Sequence, residues 1–492
     1  MSGTANKALS IVIGIALLTT ASIAYGQDGG GRKLDLKKDL KYLGAFRVPQ
    51  QSVSGMPTQS KRPDPLTYGG ELLTFNPYRN SLYIMGSRNI ERLVYEISIP
   101  DPVNSAKLSD LPMAKFLSGG FDITGGTGWD ALLADGSDIV NGGYPGGLLF
   151  LNKEAHRGRM IGNSYAYYDA SHIAVNSHFV TNSTLSDKPD FKGYYAVGLR
   201  EDSPGKVNGG FVGGYMCWIP SAWQAALKGP ALTGLGGVAV IGRSSFGPSA
   251  SVFDPEHLLN VTSTTLSNPV NAKVLVGYPS THPSLGENAQ AYKFGNTWGW
   301  NGTGLIRGIA FPEGTRSVLF FGRMGMGNGN YGAGDKAEGT QCYGPGTVNP
   351  LEAGRGGGES CNNGSTVVGT GNHCCYDPAE LGKGNHAYPY KARIWAYDAG
   401  DLKRVADNSA KPWEILPYEV LDFDFPYIDE SKNGTRDIGQ VAYDPKTQRL
   451  YISQLRTDNP GYERFPIILV YEVNADKSSQ NLPAPPTDLK FQ

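Results

Sequence analysis

Net charge is almost missing from this chain. Lys and Arg number 44 against 45 Asp and Glu, a formal balance of −1, and charged residues make up only 18% of 492. A nucleic-acid binder normally carries a basic excess, so that class is excluded. Long apolar runs are missing after the first two dozen residues. A spanning helix needs about 20 apolar residues, so no membrane span is expected in the body of the chain. Cysteine is scarce, five in all, too few for a dense disulfide scaffold. Signatures of known catalytic machinery are absent too. There is no G-x-S-x-G elbow, no H-E-x-x-H zinc helix and no phosphate-cradling loop. The glycine runs at Gly325–Gly329 and Gly354–Gly358 lack the strand-to-helix context of such loops and read as turns. Helix signals are few, the clearest being Pro220–Leu227 with Ser221 as its cap.

Glycine (66), proline (32) and tyrosine (27) are plentiful, and 40% of residues are hydrophobic. That much apolar content builds a core rather than a disordered chain. The glycine excess over the usual ~7% rules out coiled coils and helical arrays. The opening residues read as an address. Lys7 precedes the apolar run Ile11–Leu18, and small residues close the segment at Ala24 and Gly26. This order is that of a secretory signal peptide cleaved after residue 26, so a secreted or periplasmic protein is expected. Cys217 stands alone, whereas Cys342, Cys361, Cys374 and Cys375 share one glycine-rich segment. In an oxidising compartment four clustered thiols pair. Excluding the strained neighbours Cys374–Cys375 leaves two connectivities. The alternative, a zinc site completed by His373 and His386, lacks the usual ligand spacing.

A unit recurs along the body. Leu72–Gly86 followed by Arg92–Ile97 matches Gln440–Ser453 followed by Ile468–Val473, and a third copy runs Ile309–Gly322 with its last part at Arg393–Asp398. Fainter copies begin at Gly147–Phe150, Ile173–Val175 and Ser251–Pro255. Each clear copy is an apolar strand, a Pro turn opened by Asn, Asp or Phe, an aromatic strand, and a third strand rich in Tyr. Proline fixes φ and an Asx side chain caps the bend, so the pattern predicts short strands joined by tight turns. Small repeated sheets around an axis make an all-β β-propeller. Six anchors predict six blades, and seven would also fit. Residues 27–40 form a leader, 41–478 the propeller and 479–492 a Pro-rich tail. The lone strand Lys41–Val48 is expected to complete the last blade. Residues 323–391 form a long insertion pinned by disulfides.

Strand order alone then selects a face. In a four-stranded blade, loops entering the first strand and loops joining strands two and three open on one side. Those loops carry Tyr68, Trp298, Trp300, Asn301, Arg436 and Asp437, and then Arg88, Arg456, Arg323, His386 and Tyr388. Tyr and Trp suit stacking on sugars, and loops on a rigid scaffold commonly carry function. His172, just before an expected inner strand, is the candidate to remove a proton from a sugar ring carbon, with Tyr68, Arg436 and Asp437 nearby. His178, six residues on, is about 20 Å away along a strand and could not share a metal with it. Asp422, Asp424, Asp429, Glu430 and Asp437 could supply oxygen ligands for Ca²⁺, although without EF-hand spacing. The sequence requires no cofactor and leaves metal content open.

The Phe-Asn-Pro and Tyr-Asp-Pro units with the export signal resemble secreted bacterial propeller-like proteins. They are similar in particular to an uncharacterised family with a CYDP…HAYPY insertion, here Cys375–Pro378 and His386–Tyr390. The resemblance implies fold and export, not mechanism. The expectation is a secreted propeller that recognises a polymeric ligand, a glycan, through its loop-rich face. The alternative is a propeller polysaccharide lyase or glycoside hydrolase acting at that face.

Overall fold

The predicted turn chemistry is present atom by atom. Asn76 Oδ1 accepts the backbone N–H of Tyr78 at 3.0 Å, Asp444 Oδ1 that of Lys446 at 2.9 Å, and Asp254 Oδ1 that of Glu256 at 2.9 Å. A proline follows each of these Asx residues. Four residues beyond the first two, Asn80 and Gln448 turn the chain back with φ of 49° and 57°. The computed structural model describes residues 29–140, 142–167, 169, 173–199, 211–237, 245–265, 267–278, 303–325, 330–333, 383–386, 390–427 and 437–475.

Five four-stranded antiparallel sheets result. Blade one holds β2 (Leu73–Asn76), β3 (Ser81–Met85), β4 (Val94–Ser98) and β5 (Phe116–Phe121). Blade two holds β6 (Gly143–Phe150), β7 (Arg159–Ala166), β8 (His178–Asn182) and β9 (Lys192–Tyr195). Blade three holds β10 (Tyr215–Trp218), β11 (Ala231–Gly234), β12 (Ala250–Phe253) and β13 (Ala272–Val276). Blade four holds β14 (Leu305–Ala310), β15 (Ser317–Gly325), β18 (Tyr390–Asp398) and β19 (Glu419–Phe423). The hairpin β16 (Asn330–Ala333) with β17 (Lys383–His386) is inserted between its second and third strands. Blade five holds β20 (Asp437–Asp444), β21 (Arg449–Asp458), β22 (Phe465–Val473) and, from the other end of the chain, β1 (Leu40–Arg47). Inner strands pack in a closed circle: β2 on β6, β6 on β10, β10 on β14, β14 on β20 and β20 on β2.

The propeller therefore has five blades, not six or seven. The surplus anchor is Ile173–Val175, which forms no strand and leads irregularly into β8. Ser251–Pro255 is also displaced, because it is the third strand of blade three, whose first strand is the unmarked Tyr215–Trp218. Other expectations shift by a few residues. Strands β15 and β18 extend to Gly325 and Tyr390, so the insertion occupies 326–389. The helix α1 (Ser221–Leu227) has Pro220 at its N-cap with no side-chain cap bond, so Ser221 lies inside it. The four clustered cysteines and the tail beyond 475 lie outside the described residues, as do residues 1–28.

Five large apolar clusters coincide with the five blade-to-blade interfaces. Strand β15 shows why. Val318 and Phe320 face the interface with blade three, while Leu319 and Phe321 face blade five. Side chains alternate across a strand, and both faces are covered, so the strand reads as an apolar run. Three inner strands are interrupted at the same level. Register slips between Pro145 and Leu148, Ile306 and Gly308, and Ile438 and Val441. Such bulges turn a side chain out of the ladder, and here they free Arg307 and Gln440 from pairing within their sheets. Gln440 Nε2 donates to the Gly214 carbonyl at 2.8 Å, crossing from blade five to blade three. The axis is narrow: a Cβ on Gly146 would lie 1.9 Å from the Gly213 carbonyl oxygen.

Candidate functional site

The face chosen by strand order gathers charge. Glu71 and Arg88 come from the loops before β2 and after β3, and pair at 3.0 Å. Asp437 opens β20, while Arg456 and Arg323 lie near the ends of β21 and β15. Arg456 Nη2 donates to Asp437 Oδ2 at 2.9 Å, and Arg323 Nη1 lies 3.5 Å from Oδ1. Arg307, released by its bulge, donates from Nη1 to the Tyr165 hydroxyl at 2.8 Å and lies 3.9 Å from Glu71. These contacts link blade four with blades two and one across the channel. Aromatic rings back the cations. The Arg88 guanidinium lies 4.3 Å from the Tyr144 centroid and that of Arg323 4.6 Å from Tyr390.

Burial alone would raise the Asp437 carboxyl. The charges of Arg323, Arg456 and Arg307, with the Arg456 hydrogen bond, overrule it and hold the group at about 2. The residue is an ionised clamp, not a proton donor near neutrality. Tyr165 moves the other way. Its phenol is raised above the ordinary value by burial, against the pull of Arg307 and Arg88, so it stays protonated. Arg307 stays charged: burial opposes the cation, but Tyr165, Glu71 and Asp437 more than restore it.

Of the residues expected at the mouth, Arg88, Arg323, Arg456 and Asp437 come together. Tyr68 lies on the rim between blades one and five, half-exposed with φ 54°, its hydroxyl donating to the Tyr462 carbonyl at 3.4 Å. His386 is placed by its backbone, paired with Asn330 in the inserted hairpin. His172, Arg436, Trp298, Trp300, Asn301 and Tyr388 lie outside the described residues. His178 is a core group. Its ring sits 2.9 Å from both Ser177 Oγ and Thr233 Oγ1, and burial lowers its pKa to about 3. The acidic residues proposed for Ca²⁺ do not assemble among the described residues. Asp422 is on an outer strand, clamped by Arg393 at 2.5 and 3.0 Å, whereas Asp437 is on an inner one. Asp429 and Glu430 lie outside the described residues.

Sequence reasoning missed Arg307, Glu71, Tyr165 and Tyr144. A signal for Arg307 exists. Ile306-Arg307-Gly308-Ile309-Ala310 parallels Ile438-Gly439-Gln440-Val441-Ala442, and a Gly beside a polar residue inside an apolar strand marks a bulge.

No protein-family model matches the sequence, and no curated protein sequence matches it. Among solved structures the chain is similar to the β-propeller domain of Cps50 (Swd1) from Myceliophteria thermophila, at 9% identity and TM-score 0.28, covering 88% of this chain and 99% of that one. It is also similar to a luciferin-regenerating enzyme, at 7% identity and TM-score 0.27, covering 90% and 97%. A third is the hydrazine synthase of Kuenenia stuttgartiensis, at 10% identity and TM-score 0.25, covering 83% and 81%. At such identities and scores no activity transfers from them.

Proposed function

We propose that this protein is an exported recognition propeller that holds a polymeric ligand, a glycan, at the mouth of its channel. The observation that carries the reading is the convergence of Arg88, Arg307, Arg323 and Arg456 with the rings of Tyr144 and Tyr390 from four blades. Planar guanidinium forks and aromatic faces together supply directional donors and stacking surfaces. The exposed Tyr68 and Tyr462 (92% exposed) extend the aromatic rim outward. The leader sequence and the resemblance to secreted propeller-like proteins support export.

The lyase or hydrolase reading draws less support. General catalysis needs a group whose pKa lies near the working pH. Burial keeps Tyr165 protonated, and its arginines keep Asp437 ionised. Passage of purified protein over immobilised polysaccharides tests the reading. Retention without new unsaturated-sugar absorbance or new reducing ends is expected. Turnover of a bound polysaccharide would replace recognition with catalysis, and failure to retain on any glycan would end the glycan reading.

A further inference from the structure

We propose that the channel mouth selects acidic glycans, seating an oxyanion of the ligand, a carboxylate or sulfate, beside Arg307. This rests on the glycan reading above and names the substrate class for the same site. Arg307 carries the inference. Its side chain is more than nine-tenths buried, and its five N–H donors have one hydrogen bond, to Tyr165. The Nε–H is buried without an acceptor among the described residues. Neither neighbouring carboxylate answers it. Glu71 Oε1 lies 3.9 Å from Nη2, an ion-pair distance beyond hydrogen-bond reach, and already pairs with Arg88 at 3.0 Å. Asp437 is shared by Arg456 at 2.9 Å and Arg323 at 3.5 Å. Glu71 thus faces both Arg88 and Arg307, and Asp437 both Arg323 and Arg456.

A buried cation with unmade hydrogen bonds is costly, and an arriving oxyanion would relieve that cost. The Nη1 group is turned to Tyr165, which leaves the Nε–Nη2 edge as the planar fork that matches a carboxylate or sulfate. The bulge takes Arg307 out of the β14 ladder, and its guanidinium reaches Tyr165 of blade two and Glu71 of blade one instead. The ring of Tyr144 under Arg88 fixes a second cation beside it.

The test is titration calorimetry with three polymers, polygalacturonate, dextran sulfate and unmodified dextran, on the wild-type chain and three variants. Binding of one or both acidic polymers, and not of dextran, is expected. Affinity should fall about tenfold as ionic strength rises from about 0.05 to about 0.5 M, because screening lengths shrink. Which acidic polymer binds assigns the oxyanion. Arg307→Gln should weaken acidic binding at least about tenfold, as loss of a charge-assisted contact does. Should that variant not fold, Arg88→Gln, at the partly exposed rim, is expected to weaken it and flatten the salt dependence. Arg79→Gln, at the β2–β3 turn on the opposite face, should change nothing. Equal binding of dextran would overturn the acidic preference and leave the glycan reading standing. No binding of any polymer would overturn both.

Discussion

Asp437 shows how single residues hold the mouth in shape. Its carboxylate answers Arg456 and the 2%-exposed Arg323, so its loss would take an anionic partner from a buried guanidinium. Asp437→Asn is expected to cost about 3–5 kcal/mol at neutral pH, the range for breaking a buried pair from one side, read from denaturant midpoints. The acid limb should change as well. Arginine charge holds the folded carboxyl at about 2, below the ~3.9 of an unfolded Asp. It therefore stabilises above pH ~4, and that contribution is lost as pH falls toward 2. The variant's stability should fall less steeply over that window. His178 acts with the opposite chemistry and the same sign. Buried and neutral with a folded pKa of about 3, it binds no proton where an unfolded His (~6.5) does. Stability should therefore drop by roughly 1.4 kcal/mol between pH 7.5 and 5.5 through this group alone. The same comparison in His178→Gln should lack that component, and an identical pH slope in both proteins would contradict the burial.

Strands that meet at the axis leave no room for side chains. A Cβ on Gly146 would lie 1.9 Å from the Gly213 carbonyl oxygen, and one on Gly439 2.2 Å from that of Gly70. Because backbone cannot yield as a flexible side chain can, Gly146→Ala is expected to destabilise by at least ~1–3 kcal/mol, the usual cost of overpacking, measured by urea unfolding. At this scale the sequence was legible where local chemistry decides. The Asx-Pro turns at Asn76 and Asp444, the β21 and β22 runs and the strand character of β1 all follow from residues near one another in the chain. Blade count was not legible, because blade three opens on the four-residue Tyr215–Trp218 without an Asx-Pro turn after it. An apolar run at Ile173–Val175 imitates a strand but has Leu132 rather than a sheet neighbour for its backbone: the amides of Val175 and Asn176 both donate to the Leu132 carbonyl. The site divides the same way. Strand order brought Arg88, Arg323, Arg456 and Asp437 to one mouth, whereas Arg307 depends on a one-residue slip and on partners 142 residues away (Tyr165) in another blade.

Closure of the ring depends on pairing the two ends of the described chain. Strand β1 adds to β22 from Leu40↔Val473 to Arg47↔Ile467, and Phe46 and Ala45 are fully buried there. Arg47 also pairs with Asp458 at 2.6 Å. Removing residues 29–48 should strip blade five of its fourth strand and expose an apolar edge, which templates aggregation. Expected outcomes are loss of a single cooperative melt and rapid cleavage by a nonspecific protease. A deletion variant that melts as sharply as the full chain would show that the inner-strand circle closes the molecule unaided.

The same pairing sets a clock on biogenesis. Growing on a ribosome, β1 is made first and its mate last, so the earliest segment waits through more than four hundred residues of synthesis before it can dock. Contacts between such distant partners form slowly, and every prematurely stopped product lacking Phe465–Val473 carries an orphaned strand at its front. Such a product presents the unpaired edge of that strand, of the kind that recruits other chains, until its mate has been made.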